Sequence, residues 1–202
     1  MTGVDVIDGV VKNIIDQMVD QKIITSDSSE IYAYRLVIVL ETFLTTITLF
    51  VIALFMHRIG LMPVLLFSFA CLRRKSGGYH FDSFAECYMG SLLLFSTVAF
   101  LIPFIEMNVY VMALAYLAGM VIIYIGFVDH PNLNLDSAGI IKRKKETRFI
   151  TVIELCIMTA IKVSGCPDKV VLCIAIAVML DCALMLLGKL KGCKDEPIER
   201  VN

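Results

Sequence analysis

The chain has 202 residues, 58% of them apolar, and a formal net charge of −1 at pH 7; its mean hydropathy is +0.83. Soluble domains carry about 45–50% apolar residues, so the composition reads as an integral membrane protein, and the near-neutral balance points to no nucleic-acid partner. Seven cysteines, an odd number, lie mostly in apolar runs, with no CxxC pair and no histidines at zinc spacing. No metal and no cofactor are expected, and most of these thiols read as small buried residues.

The opening residues "MTGVDVIDGVVKN" mix charges and lack an apolar core followed by a cleavage site. No secretory signal is read there, and the N-terminus is expected to stay in the cytoplasm. Over residues 4–24, Val4, Ile7, Val10, Val11, Ile14, Ile15, Met18 and Val19 recur at helical spacing, with Asp5, Asp8, Lys12, Asp16 and Asp20 opposite them. This predicts an amphipathic helix that either packs on the rest of the chain or lies in the membrane interface. "TSDSSE", at 25–30, offers N-cap residues for a first span over 31–56.

The next apolar run, 61–72, is short for a hydrocarbon core of about 30 Å and is expected to tilt, thin the bilayer or be re-entrant. After "RRKSGGYHFDSFAEC" at 73–87, runs at 88–105 and 109–128 are separated only by Glu106, Met107 and Asn108, which predicts a hairpin. A polar connection covers 129–148, and runs at 149–163 and 170–187 follow. The predicted fold is all-α: a polytopic membrane protein of about six short transmembrane helices preceded by an N-terminal amphipathic interfacial helix. The expected division is 1–30 as helix and linker, 31–188 as a transmembrane domain with a cytoplasmic loop at 73–87, and 189–202 as a cytoplasmic tail.

Cationic loops are retained on the cytoplasmic side. With the N-terminus inside, these crossings put Arg73, Arg74 and Lys75 inside, together with Lys142, Arg143, Lys144, Lys145 and Arg148, and with Lys189, Lys191 and Lys194. The outer connections keep only His57, Arg58 and Lys169. The expected topology is multi-pass in a cell membrane, with both termini and the 73–87 segment on the cytoplasmic side.

Within that segment a cysteine and a histidine stand beside a cationic cluster. A thiol is a nucleophile only as the thiolate, which a histidine, cations or a helix N-terminus stabilise. A continuous helix from 80 to 87 would hold His80 and Cys87 roughly 10 Å apart along its axis, so His80 is expected in a loop that folds back. Gly77 and Gly78 give the backbone that freedom. Asp82 or Ser83 can cap a helix carrying Cys87, Asp82 or Glu86 can orient His80, and backbone N–H groups near Gly77 and Gly78 can form an oxyanion hole. Residue types alone fit equally a polar loop with its arginines at the headgroups. Three acids, Glu41, Glu154 and Asp181, fall inside predicted spans, where acids face a bundle interior or a cavity. Glu154 and Asp181 are expected at similar depth, as a cavity floor or as a contact between helices.

Arg73-Arg74-Lys75-Ser76-Gly77-Gly78-Tyr79-His80, with Cys87 following, resembles the signature of the accessory gene regulator B (AgrB) family, membrane cysteine endopeptidases of bacterial peptide quorum sensing. The leading amphipathic helix and "HPNLNLDSAGIIKRKK" also match that layout across nearly the whole chain. The resemblance implies His80 and Cys87 as the catalytic pair and a required arginine, best matched by Arg73. Phe81 departs from the small residue common after the histidine, which affects the shape of the pocket. The implied substrate is an AgrD-like precursor with an amphipathic leader, a segment that becomes a cyclic peptide, and an acidic tail for which Lys142, Arg143, Lys144 and Lys145 are candidate contacts. The implied reaction removes the tail through a thioester on Cys87 and closes a thiolactone or lactone. Short spans containing acids are easier to satisfy in a homodimer. Two other classes fit the same residues: a small transporter or peptide exporter using the intramembrane acids, and a sensor oxidised at Cys87 in which His80 is dispensable.

Overall fold

The computed structural model describes residues 3–57, 59–78, 84–128 and 137–192. The described residues form helices α1 (Gly3–Asp20), α2 (Ser29–Phe55), α3 (Met62–Ser76), α4 (Phe84–Leu101), α5 (Val109–Ile125), α6 (Ser137–Val163) and α7 (Asp168–Gly192), with short 3-10 turns at Ser26–Ser28 and Ile102–Phe104. They contain no strand, only an isolated parallel bridge between Gly77 and Val128. Each expected apolar run overlaps one of these helices, and those at 4–24, 31–56, 88–105 and 109–128 extend past the helix end. Two stretches among the described residues, Ala85–Phe104 and Asp168–Leu190, are long and apolar enough to cross a membrane, and Thr42–Phe55 and Val109–Ile125 are shorter apolar helices.

The chain divides into two compact units, residues 1–55 with 81–98 and residues 56–80 with 99–202. In the first, Val11 and Ile15 of α1 and Ile24 are buried against Ala33, Leu36, Val37 and Leu40 of α2. Lys12, Asn13, Asp16 and Gln17 face outward, and so do Val10 and Ile14, so only part of the apolar spacing in α1 packs on α2. The Thr48 and Tyr88 hydroxyls share a 2.9 Å hydrogen bond between α2 and α4. Val39, Phe43, Val51 and Leu54 of α2 and Met89 and Leu93 of α4 are exposed, a surface suited to lipid rather than water.

The second unit is built around α7. Residues 171–178 are all buried, as befits a helix apolar on every side. Leu72 of α3 and Ile122 of α5 pack with Val178, Cys182 and Met185 of α7, while Ala115 of α5 and Met158 of α6 pack with Val171, Ile174 and Ala175. Asn108 caps α5, its Oδ1 accepting from the Tyr110 and Val111 amides at 3.1 and 3.0 Å. At the start of α7 the Lys169 ammonium donates to the carbonyls of Ile102, Pro103 and Ile105 at 2.9, 3.0 and 2.8 Å. One side chain thus satisfies the end of the 3-10 turn.

Two boundaries differ from the sequence expectation. The cations at 73–75 continue α3 to Ser76 rather than opening a loop, and those at 142–148 lie on α6, which starts at Ser137. An apolar window ends at the first charge, but Arg, Lys and Glu are good helix formers, and cations suit a helix C-terminus. At 15 residues, α3 is about 22 Å long, still short of the hydrocarbon thickness. Arg58, His130, the rest of the 129–136 connection, and the tail from Cys193 onward, including Lys194, lie outside the described residues, as does the Glu41 side chain.

Replacing Lys169 with Met keeps an apolar stem and removes its three donated bonds. We expect a loss of about 2–3 kcal/mol, measured by SDS-driven unfolding of the full chain in mixed micelles.

Candidate active site

The cationic last turn of α3 complements the negative end of the helix dipole, yet its terminal carbonyls still need partners. Neighbouring elements of the second unit supply them. Arg143 of α6 donates to the Arg74 carbonyl at 2.8 Å, and the Thr147 hydroxyl sits 2.8 Å from the Lys75 carbonyl and 2.9 Å from that of Arg143. The Val128 amide donates to the Ser76 carbonyl at 2.9 Å, and the Arg73 guanidinium donates to the Gly77 carbonyl. The helix end is therefore capped by tertiary contacts.

Gly77 and Gly78 follow with φ of 69° and 104°, a region that favours glycine. A Cβ on Gly77 would lie 2.2 Å from the Val128 carbonyl oxygen, and one on Gly78 would lie 2.6 Å from Arg73 Nη1 and 3.0 Å from the Leu184 carbonyl oxygen. Conformation and space both require glycine here, for close backbone approach as well as for the turn itself.

Two buried acids face this end of α3. Asp181 has no exposed surface, and its Oδ1 accepts from the Ser76 hydroxyl at 2.8 Å. Glu154, on α6, is also buried; its hydrogen-bonding neighbour is Ser68 and its charged neighbour Asp181. Arg73 is a charged neighbour of Asp181. Glu154 and Arg73 are thus both neighbours of Asp181, and Asp181 is sealed by packing rather than open to a cavity. Clefts open elsewhere: one of about 320 Å³ between α1 and α2, lined by Val11, Ile15, Ala33 and Val37, and one of about 210 Å³ lined by Met56, Ala99, Phe100, Pro103 and Phe104.

Cys87 lies in the first turn of α4, which begins at Phe84; it is half-buried, and Glu86 beside it is exposed. His80 and Asp82 lie outside the described residues. The four basic candidates on α6 differ in employment. Lys142 and Lys145 are exposed, Arg143 caps α3, and Lys144 packs its stem against Gly126. Lys75, also on α3, pairs with Glu146 at 2.7 Å, which holds the Glu146 carboxyl below its ordinary range. Sequence reasoning missed Ser68, Ser76 and Thr147. None of the three has a local signal, since each meets its partner on another helix.

The family model described as accessory gene regulator B matches residues 11–186. The chain belongs to the AgrB family. Membership gives it a part in the agr quorum-sensing system and a membrane association. The AgrB family takes part as a peptidase in autoinducer processing, and its substrate is an AgrD-type precursor peptide. No curated protein and no solved structure matches.

Two outcomes are expected for this site in the AgrB chain. Gly77→Ala collides with the Val128 carbonyl and should lower stability by more than about 2 kcal/mol, read from SDS-driven unfolding. For Glu146 the folded-state carboxyl titrates lower than the unfolded one. Its contribution is therefore present above the unfolded value and lost as pH falls through the folded one. The stability difference between wild type and Glu146→Gln should be small and positive at about pH 6, fall away as pH drops below the ordinary glutamate value of about 4.3, and shrink in high salt.

Proposed function

We propose that this chain is a membrane cysteine endopeptidase that removes the C-terminal tail of a quorum-sensing precursor and promotes cyclisation of the remaining peptide, with its active site on the cytoplasmic side. The observation that carries the reading is the family signature at 73–87, with its glycine pair in a conformation that favours glycine and its cysteine in the first turn of a helix. The positive end of that helix, and the arginines of the motif, favour a thiolate on Cys87.

In the proposed reaction His80 accepts the Cys87 thiol proton, and the thiolate attacks the carbonyl preceding the tail. The C–N bond breaks, His80 returns the proton to the departing amine, and the peptide remains on Cys87 as a thioester. An internal cysteine or serine of the peptide then attacks that carbonyl. The ring closes as a thiolactone or lactone, and the Cys87 sulfur leaves and is reprotonated. Excluding water at this stage prevents a linear acid from forming. Asp82 or Glu86 orients His80, and N–H groups near Gly77 and Gly78 stabilise the oxyanion. Arg73 supports the pair by holding the Gly77 carbonyl. Exposed Lys142 and Lys145 receive the acidic tail, while Arg143 and Lys144 support the same face from within.

The test uses the full chain in nanodiscs with a synthetic precursor carrying leader, ring segment and tail. Cys87→Ala should abolish tail release, and His80→Ala should slow it by about 10²–10⁴-fold. A hydroxylamine-sensitive adduct on Cys87 should accumulate when the ring-closing residue of the peptide is replaced by alanine. Tail release that survives Cys87→Ala would remove the endopeptidase reading and favour transport, and a linear acid as sole product would remove the cyclisation step.

A further inference from the structure

An acid with no exposed surface inside an apolar helix bundle is expensive to keep, and Asp181 is such an acid. It sits on α7 among apolar neighbours, within the cluster that includes Val178, Cys182 and Met185, where a leucine would pack at lower electrostatic cost. Its burial leaves no surface for a substrate to touch. Its Oδ1 instead takes the Ser76 hydroxyl at 2.8 Å, its Oδ2 has no hydrogen-bond partner, and its charged neighbours are Arg73 of α3 and Glu154 of α6.

The same helix touches the motif a second time, one turn further on. A Cβ on Gly78 would stand 3.0 Å from the Leu184 carbonyl oxygen and 3.1 Å from Met185 Cα, so the Gly78 backbone rests on α7. Arg73 joins the two contacts, donating to Gly77 while lying beside Asp181. We infer that Asp181 is a positioning residue of the proposed reaction: through Ser76 it sets the end of α3 and the Gly77–Gly78 turn, from which the chain continues to His80. The inference rests on the pairing of His80 with Cys87 proposed above. The role needs an acceptor at this point of α7, and asparagine preserves one.

The experiment follows alkylation of Cys87 by iodoacetamide against pH in the full chain in nanodiscs, resolved from the other cysteines by peptide mass spectrometry. Four variants are compared with wild type: His80→Ala, Asp181→Ala, Asp181→Asn and Ser76→Ala. His80→Ala should raise the midpoint by at least about one pH unit. Asp181→Ala and Ser76→Ala should each move it in the same direction, Asp181→Asn should stay near wild type, and Asp181→Ala should add nothing in the His80→Ala background. A wild-type midpoint in Asp181→Ala, with the His80→Ala shift present, overturns the positioning role and leaves the proposed function standing. Absence of the His80→Ala shift overturns the pairing itself. If Asp181→Ala does not fold, as judged by circular dichroism and elution volume, Ser76→Ala reads the same link from the donor side, and its failure to move the midpoint overturns the inference.

Discussion

A helix end leaves carbonyl oxygens without intrahelical partners, and each one that is buried and unpaired costs roughly 1–3 kcal/mol. The end of α3 meets that constraint by drawing donors from three directions: Arg143 and Thr147 of α6, the Val128 amide beyond α5, and its own Arg73. Much of the second unit follows from it. The start of α6 must be helical to present Arg143 and Thr147 on one face four residues apart, and the chain after α5 must run alongside Gly77 closely enough to form the isolated bridge. No side chain fits at Gly77, because the Val128 carbonyl occupies the space. The motif's composition is thereby accounted for in part without chemistry: arginine, serine and paired glycines are what a sealed helix end requires.

This accounting changes how the charges of the chain are read. A cation in a greasy sequence is usually ascribed to topology, since basic residues hold a loop on the cytoplasmic side. Lys75 and Arg143 each make a specific contact across α3 and α6. Lys169 does the same at another end of the unit, where three carbonyls converge on one ammonium. In each case the cation meets a named acceptor, a carboxylate for Lys75 and backbone carbonyls for Arg143 and Lys169.

The fold was legible where periodicity or apolar length dominates. The spacing over 4–24 predicted a helix there, and the long apolar run at 170–187 predicted the helix that became α7. Boundaries were misread where a charged segment stays helical, at Arg73–Lys75 and again at Lys142–Arg148, because hydropathy reports solvent and not backbone conformation. Within the site, the glycine pair and the helix start at Cys87 were readable from spacing alone. Ser76 was not: its importance lies in a partner 105 residues away, and no local pattern encodes such a separation. Thr147 was hidden for the same reason, its acceptor lying on another helix.

That distant partner explains why a membrane bundle tolerates an acid at its centre. Replacing Asp181 by a hydrocarbon would relieve an electrostatic penalty but leave the buried Ser76 hydroxyl only the Gly77 carbonyl, at a long 3.5 Å, and it would remove the negative neighbour of Arg73. The penalty is thus tied to the geometry of one turn rather than spread through the bundle. Glu154, with Ser68, repeats the arrangement on the adjacent helix, so that hydroxyls of α3 meet carboxyls of both α6 and α7. Apolar packing alone can hold three helices together while leaving α3 free to slide along its axis. Two directional hydrogen bonds to two different helices fix its register, and register is what a glycine turn at the end of α3 inherits.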